Sequence, residues 1–314
     1  MRRPEEEAKP VVSVLEIERF ALHDGPGIRT VVFLQGCPLF CPWCANPESQ
    51  GSSKQLMYNE RKCVRCHTCI KQCPQQAIHL NEHNRLVFDR SLCGDCRLCG
   101  ELCPQQAIRF PGVNMEVAAV LATVEKDRAY YEDSQGGVTL SGGEPFTRYD
   151  SFLALLKVLK AGRLHVAVET TGQIGLTKLM EAEPYIDLFL FDIKHVNDEI
   201  LKATTGAELG VILNNLAYLA KKNPQKIIIR TPVIPGFNYE VAVLEGIFDL
   251  AVRYRIKEVH LLPYHALGRN KYEQLGRVYA YSLATVNINM LAPSELVPYI
   301  ASGAAKGLRV MIGG

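Results

Sequence analysis

Thr30-Val31-Val32-Phe33-Leu34-Gln35-Gly36-Cys37-Pro38-Leu39-Phe40-Cys41-Pro42-Trp43-Cys44 reads as a short strand that delivers three cysteines, spaced Cys-x3-Cys-x2-Cys, onto the loop behind it. β-Branched or aromatic runs like residues 30–35 recur at 137–140, 165–168, 188–191, 226–230 and 258–262. Amphipathic segments fill the gaps, around 113–131, 151–161, 176–182, 209–222 and 241–254. Strand and helix in alternation make a parallel sheet. Six strands predict an α/β fold, a partial (β/α)6 TIM-like barrel with its working groups at the C-terminal strand ends, because eight would be needed to close a full barrel. A doubly wound sheet is the alternative. Residues 308–312 form either an edge strand or a terminal tail.

The 314 residues are 47% hydrophobic and 22% charged, the balance of a globular chain with a substantial core, which excludes disordered and fibrous classes. Lys plus Arg at 35 against Asp plus Glu at 33 leave a net charge of +2, so no general field draws nucleic acid or anionic lipid. No apolar run approaches the ~18 residues a membrane helix needs. Residues 1–10 are Arg-rich and then Glu-rich, without an apolar signal segment. A cytoplasmic monomer, with neither nucleic acid nor membrane among its partners, is expected. Its 11 cysteines cannot all pair, and in a reducing compartment they read as metal ligands.

Eight of these cysteines fall between Cys63 and Cys103. Cys63-x2-Cys66-x2-Cys69-x3-Cys73-Pro-Gln-Gln-Ala-Ile returns as Cys93-x2-Cys96-x2-Cys99-x3-Cys103-Pro-Gln-Gln-Ala-Ile, the spacing of ferredoxins with two 4Fe-4S clusters. Three close cysteines wrap one face of an iron–sulfur cubane and the fourth reaches across to the other. On that logic Cys63, Cys66 and Cys69 group with Cys103, and Cys93, Cys96 and Cys99 with Cys73. A pair of zinc sites competes, but zinc does not explain the third cysteine or the Cys-Pro that follows, twice over. His67 reads as solvent-facing, since four thiolates complete each cluster. Residues 51–112 are therefore expected to be a ferredoxin-like domain inserted between 1–50 and 113–314. The remaining Cys37, Cys41 and Cys44 can hold a third cluster by three corners, leaving one iron open; a three-cysteine zinc site completed by His, or unligated buried thiols, are the alternatives.

Cys37-x3-Cys41-x2-Cys44 resembles the signature of radical S-adenosylmethionine enzymes. Asp24-Gly25-Pro26-Gly27-Ile28-Arg29, Gly136-Gly137-Val138-Thr139, Ser141-Gly142-Gly143-Glu144-Pro145, Asp192-Ile193-Lys194 and Leu261-Leu262-Pro263-Tyr264-His265 narrow the likeness, over nearly the whole chain, to the activating enzymes of glycyl radical enzymes. The insert resembles that of the longer members. The resemblance implies three 4Fe-4S clusters and S-adenosylmethionine as cofactors, the open iron chelating the methionyl amine and carboxylate, on a six-stranded partial barrel. It implies reductive cleavage to methionine and a 5′-deoxyadenosyl radical, which takes hydrogen from a glycine of a partner glycyl radical enzyme. Flavodoxin or ferredoxin would donate the electron, with the insert as relay.

In that reading Cys37, Cys41, Cys44, Lys194 and His265 carry the catalytic roles. Gly142 and Gly143 end a strand where missing side chains admit a ligand, and Glu144 behind them completes a cradle for the methionyl ammonium. Asp192 and Lys194 stand two apart, on the face that also carries Leu188 and Leu190. As a surface ion pair they would contribute at most about 1 kcal/mol; the end of an apolar strand places them at the barrel mouth, in contact with the cofactor together with Ile193, Lys194 meeting its carboxylate. Arg230 offers a planar fork to the same region. His265 sits beside the ligand, Ala45 contributes backbone, and Trp43 either borders the adenine or packs in the core. Glu169 stands where the shorter activases have an Asp that helps hold a monovalent cation, so no cation is assigned. Asp24 to Gly27 is either a surface receiving the partner's glycine loop or an ordinary Pro-Gly turn, and Leu267 to Tyr272 either a partner-selecting surface or a loop. A radical S-adenosylmethionine enzyme acting on a small molecule and a passive iron–sulfur electron carrier are the competing functions.

Overall fold

The computed structural model describes residues 9–52, 55–280 and 290–314, so residues 1–8 of the N-terminal stretch read above lie outside the described residues. In chain order the strands are β1 (Val11–Ala21), β2 (Arg29–Leu34), β3 (Met57–Tyr58), β4 (Ile78–Leu80), β5 (Leu86–Phe88), β6 (Ile108–Arg109), β7 (Val113–Glu116), β8 (Gly137–Gly142), β9 (Val166–Thr170), β10 (Leu188–Asp192), β11 (Ile227–Val233), β12 (Glu258–Pro263) and β13 (Arg309–Ile312). Nine of them form one sheet in the order β13-β12-β11-β10-β9-β8-β2-β1-β7. From β2 to β13 every neighbouring pair in it is parallel. β1 and β7 extend it antiparallel.

All six expected strands are present, and residues 309–312 are a parallel edge strand, not a tail. The strand order never reverses between β8 and β13, which excludes a doubly wound sheet, whose order turns back at a switch point. Residues 113–131 are not one amphipathic segment: Val113–Glu116 pairs with β1, and the helix starts at Val117.

Alternation along each strand sorts its side chains between two faces. Val138 and Leu140, Val168, Phe189 and Phe191, Ile227 and Ile229, and Val259 and Leu261 join the main core against the crossover helices. Helix Tyr149–Ala161 presents Phe152, Leu155, Leu156 and Leu159 to it, the i, i+3, i+4, i+7 spacing of one helical stripe; each such buried side chain contributes roughly 1.5–3 kcal/mol. On the other face Ala167, Leu188, Leu190 and Ile228 form a small apolar floor, and polar residues stand beyond it. The ends of β2 and β12 would lie about 24 Å apart in a flat sheet, yet Phe33 and Leu262 line one cleft. The sheet therefore curls around this second face.

Residues 51–112 carry two small antiparallel pairs, β3 with β6 and β4 with β5, and a separate core of Leu56, Cys69, Ile78, Cys99 and Ile108. The sequence repeat is also a backbone repeat. Arg65 and Asp95, His67 and Arg97, and Gln76 and Gln106 share left-handed conformations, and the amides of Ala77 and Ala107 donate to the sulfurs of Cys73 and Cys103 at 3.3 and 3.2 Å. His67 does not simply face solvent: it is half-buried and its Nε2 is enclosed.

Candidate functional site

β2 runs into a turn at Gly36, whose φ of 108° an L side chain would strain. The cysteine loop that follows is pinned along its length. Cys37 exchanges both backbone hydrogen bonds with Gly51 at 3.2 and 2.9 Å, the Phe40 amide donates to the Thr205 carbonyl, and the Cys44 amide donates to the Cys41 carbonyl. Cys37, Cys41 and Cys44 thereby line a cleft of about 260 Å³.

The ends of five further strands complete that cleft: Gly142 and Gly143 after β8, Thr170 and Thr171 at β9, Asp192 and Lys194 at β10, Pro232 of β11 and His265 after β12. Trp43 and Ala45 close it from the cysteine loop. Trp43 is largely buried and packs at a tilt against Phe237, 4.6 Å between ring centroids, so it packs in the core and lines the cleft at once. The glycine pair also has a reason internal to the chain. A Cβ on Gly142 would stand 2.3 Å from the Leu34 amide nitrogen, and one on Gly143 2.0 Å from the Gly36 carbonyl oxygen. Only bare backbone lets β8 meet β2 beside Cys37.

Burial dominates the electrostatics. It pushes all three thiols up, Cys44 to about 12, so ionising them here requires compensating positive charge. Lys194 is ion-paired with Asp192. Burial acts against its ammonium, but the ion pair with Asp192 opposes this and holds Lys194 charged. His265 lines the cleft, and desolvation lowers its pKa toward the neutral ring. Three thiols next to a fixed acid–base pair suit a soft metal centre with a small zwitterion beside it.

Three expected cofactor residues do not line this cleft. Ile193 is buried in the main core, its amide donating to the Arg230 carbonyl at 2.9 Å. Arg230 is buried beneath the cleft, Nη1 standing 3.2 Å from Glu169 Oε1 out of hydrogen-bond alignment. Glu144 is 1% exposed, and its carboxylate accepts from Thr170 Oγ1, the Thr171 amide, Thr171 Oγ1 and the Phe146 amide at 3.0, 2.8, 2.6 and 3.3 Å. It ties the loop after β8 to the end of β9. Ser141, Glu169, Thr170 and Thr171 belong to the cleft but were not singled out there by the sequence as ligands. Glu-Thr-Thr-Gly at the end of a β-branched run was the available signal.

The Asp24 to Gly27 turn lies at the opposite end of β2 from the cysteines, between β1 and β2. A Cβ on Gly27 would meet the Gly136 amide nitrogen at 2.5 Å. The fully buried Arg29 braces it, donating to Thr139 Oγ1 and the Val138 and Pro26 carbonyls at 2.6, 2.7 and 3.1 Å. Burial and the nearby Glu169 raise Asp24 to about 6.

In residues 51–112, one cavity is lined by Cys73, Cys93, Cys96 and Cys99 and another by Cys63, Cys66, Cys69 and Cys103. These are the two crossed groups of four. Among the described residues no three His, Cys, Asp or Glu side chains are placed to share a single metal ion, and no helix is long and apolar enough to cross a membrane.

Residues 31–245 match the Radical SAM superfamily. The chain is 44% identical, over 84% of its length and 86% of the relative's, to the isethionate sulfite-lyase activating enzyme of Desulfovibrio desulfuricans. It is 40% identical, over 85% and 88%, to the trans-4-hydroxy-L-proline dehydratase activating enzyme of Clostridioides difficile. Among solved structures, a radical SAM methyltransferase from Sphaerobacter thermophilus is similar in fold, with a TM-score of 0.53 at 13% identity, covering 97% of this chain and 77% of that one.

Proposed function

The chain belongs to the radical SAM superfamily and, within it, to the activating enzymes of glycyl radical enzymes, and from that premise we propose how its residues divide the work. Its reaction is reductive cleavage of S-adenosylmethionine and generation of a glycine radical in a partner glycyl radical enzyme. One observation carries the assignment of the site: three cysteines, two glycines and an acid–base pair, brought from separate strand ends, face a single cleft.

The groups fit. Cys37, Cys41 and Cys44 form a partly buried all-sulfur donor set, which suits an iron–sulfur cluster and whose thiols burial pushes up, so that a metal's charge favours their ionisation. Lys194 and Asp192 present opposite charges to the carboxylate and ammonium of an amino acid, Gly142 and Gly143 leave room at the backbone, and Trp43 and His265 flank the nucleoside. When bound, cluster and S-adenosylmethionine together supply a 5′-deoxyadenosyl radical. The residues' own contribution is to hold, orient and exclude water. Glu144 acts at one remove, fixing Thr170 and Thr171 in the cleft wall, and Arg230 stands behind that wall beside Glu169, which lines the cleft.

Residues 1–50 and 113–314 then form a partial (β/α)6 barrel domain, and residues 51–112 a ferredoxin-like domain whose crossed cysteine groups hold two further 4Fe-4S clusters and relay electrons. The donor is flavodoxin or ferredoxin, and the protein is a cytoplasmic monomer. The two relatives are named for different partners at nearly equal identity, so the partner is assigned by class.

Anaerobically reconstituted protein, given dithionite and S-adenosylmethionine, should release 5′-deoxyadenosine. Mixed with its partner glycyl radical enzyme, it should raise the paramagnetic resonance doublet of a backbone glycyl radical. No 5′-deoxyadenosine would identify a passive carrier; release without the doublet on any glycyl radical enzyme would identify a small-molecule enzyme.

A further inference from the structure

The Cys41 carbonyl is an unusually well-held point. Besides the Cys44 amide at 3.2 Å, it accepts from Gln50 Nε2 at 3.1 Å and Tyr272 OH at 3.3 Å. The second partner comes from helix Arg269–Gln274, which follows β12 and is pressed against the cysteine loop: a Cβ on Gly268 would stand 2.7 Å from the Cys44 carbonyl oxygen. Lys271 of the same helix donates to Asn46 Oδ1 and Glu48 Oε1 at 2.8 and 2.7 Å. Residues 267–272 are in this respect an internal clasp.

Just beyond the helix, Arg277 spreads its fork across two bodies. Nη1 donates to Gln50 Oε1 at 2.8 Å and to the Pro47 carbonyl at 3.3 Å, both on the cysteine loop, while Nη2 donates to Gln55 Oε1 at 2.9 Å. Gln55 in turn donates to the Gln50 carbonyl at 2.8 Å and lines the cavity of Cys73, Cys93, Cys96 and Cys99. Arg90 lines that cavity too, and reaches back to the Leu275 carbonyl at 2.6 Å. A continuous polar seam therefore joins the Cys41 carbonyl to that cavity. No lining residue of the Cys63, Cys66, Cys69 and Cys103 cavity takes part in it. The two guanidiniums also set positive charge on the seam side, which favours a reduced, more negative cluster there.

We propose that Arg277 is a positioning residue that fixes the site of Cys73, Cys93, Cys96 and Cys99 beside the cysteine loop, and that this site, not that of Cys63, Cys66, Cys69 and Cys103, passes the electron to the three-cysteine centre. The inference rests on the reading of residues 51–112 as a carrier of two clusters. With clusters held there, the site of Cys63, Cys66, Cys69 and Cys103 would accept a single electron from a low-potential one-electron donor and pass it by way of the seam site to the centre, each transfer oxidising one cluster and reducing the next with no bond made or broken. The planar fork matters, because two separate Nη groups reach the cysteine loop and Gln55 in one fixed geometry, which a single ammonium nitrogen does not reproduce.

The test is magnetic. In reconstituted full-length protein reduced with dithionite, a neighbouring paramagnetic cluster speeds relaxation of the three-cysteine centre, read as its microwave half-saturation power. Replacing Cys93 and Cys96 with Ala should lower that power severalfold, and replacing Cys63 and Cys66 should leave it unchanged. Arg277→Met should lower it severalfold with all three clusters present, and Arg277→Lys should recover only a minor part. Equal or reversed effects of the two cysteine pairs, or an unchanged Arg277→Met, would overturn the proposal, and the Arg277 variants decide it even if a cysteine variant does not fold. Iron for a single cluster per chain would overturn the reading beneath it as well, which iron analysis tells apart from failure of the proposal alone.

Discussion

Glu144→Gln separates two roles that one carboxylate can play. If the side chain is a tie between β8 and β9, its loss is felt in the fold; if it is a ligand for an ammonium, its loss is felt in binding. In the structure all its acceptor capacity faces Thr170, Thr171 and the Phe146 amide. A glutamine keeps one oxygen for Thr170 and Phe146 but turns an NH2 toward the Thr171 amide, donor against donor. Two charge-assisted hydrogen bonds at roughly 1.5–3 kcal/mol each are then lost. Relief of the buried charge, which raises the Glu144 pKa, offsets part of that, leaving about 2–3 kcal/mol of destabilisation. For a chain of this size that lowers the midpoint of thermal unfolding by about 4 °C. Unfolding of the reconstituted protein followed by circular dichroism reads the midpoint, and calorimetric titration with S-adenosylmethionine reads the affinity. A cycle with Thr171→Val should show a coupling of about 1–2 kcal/mol. A Glu144→Gln protein that unfolds where the parent does, yet binds S-adenosylmethionine more than about tenfold more weakly, would show that the carboxylate touches the ligand and refute the tie.

Asp24 gives a pH-dependent outcome. Its folded pKa of about 6 exceeds the ordinary value of 3.8, so the folded chain holds that proton more tightly. The stabilisation this gives is complete below the unfolded value and is lost as pH rises through about 6, where the ionised group costs up to about 2–3 kcal/mol. Asp24→Asn should therefore raise the unfolding midpoint at pH 8 and converge with the parent near pH 4; an equal shift at both would sink the assignment. Gly143→Ala forces a Cβ to within 2.0 Å of the Gly36 carbonyl oxygen; expect a loss of more than about 3 kcal/mol and lower iron content. Gly175→Ala, with nothing within 4 Å of the added carbon, should leave both unchanged.

Much of this was legible because the deciding signals are local. Strands such as Ile227-Ile228-Ile229 are short β-branched runs closed by turn residues, and a Cys-x2-Cys-x2-Cys-x3-Cys spacing leaves few geometries for its sulfurs. β1 was missed although Val14, Ile17 and Glu18 sit on a strand paired with β2, because its irregular register breaks the strict alternation that marks a half-buried strand. The start of helix Val117–Val124 was misplaced because Val113 to Glu116 runs into it with no side-chain cap at Glu116. Glu144 and Arg277 show the deeper limit. Thr171 lies 27 residues from the first, and Gln50 lies 227 from the second, so what each side chain does is decided by topology and leaves no trace in nearby spacing.

The two ends of residues 51–112 lie almost together. Gly51 is bonded to Cys37, and a Cβ on Gly112 would stand 3.2 Å from the Val14 carbonyl oxygen and 3.5 Å from Gln35 Oε1, two residues upstream of Cys37. A chain that leaves and returns at the same spot can be bridged by a few residues, so the connectivity of the large sheet does not depend on residues 52–111, whereas the footing of the cysteine loop, through Gly51 and Gln55, does.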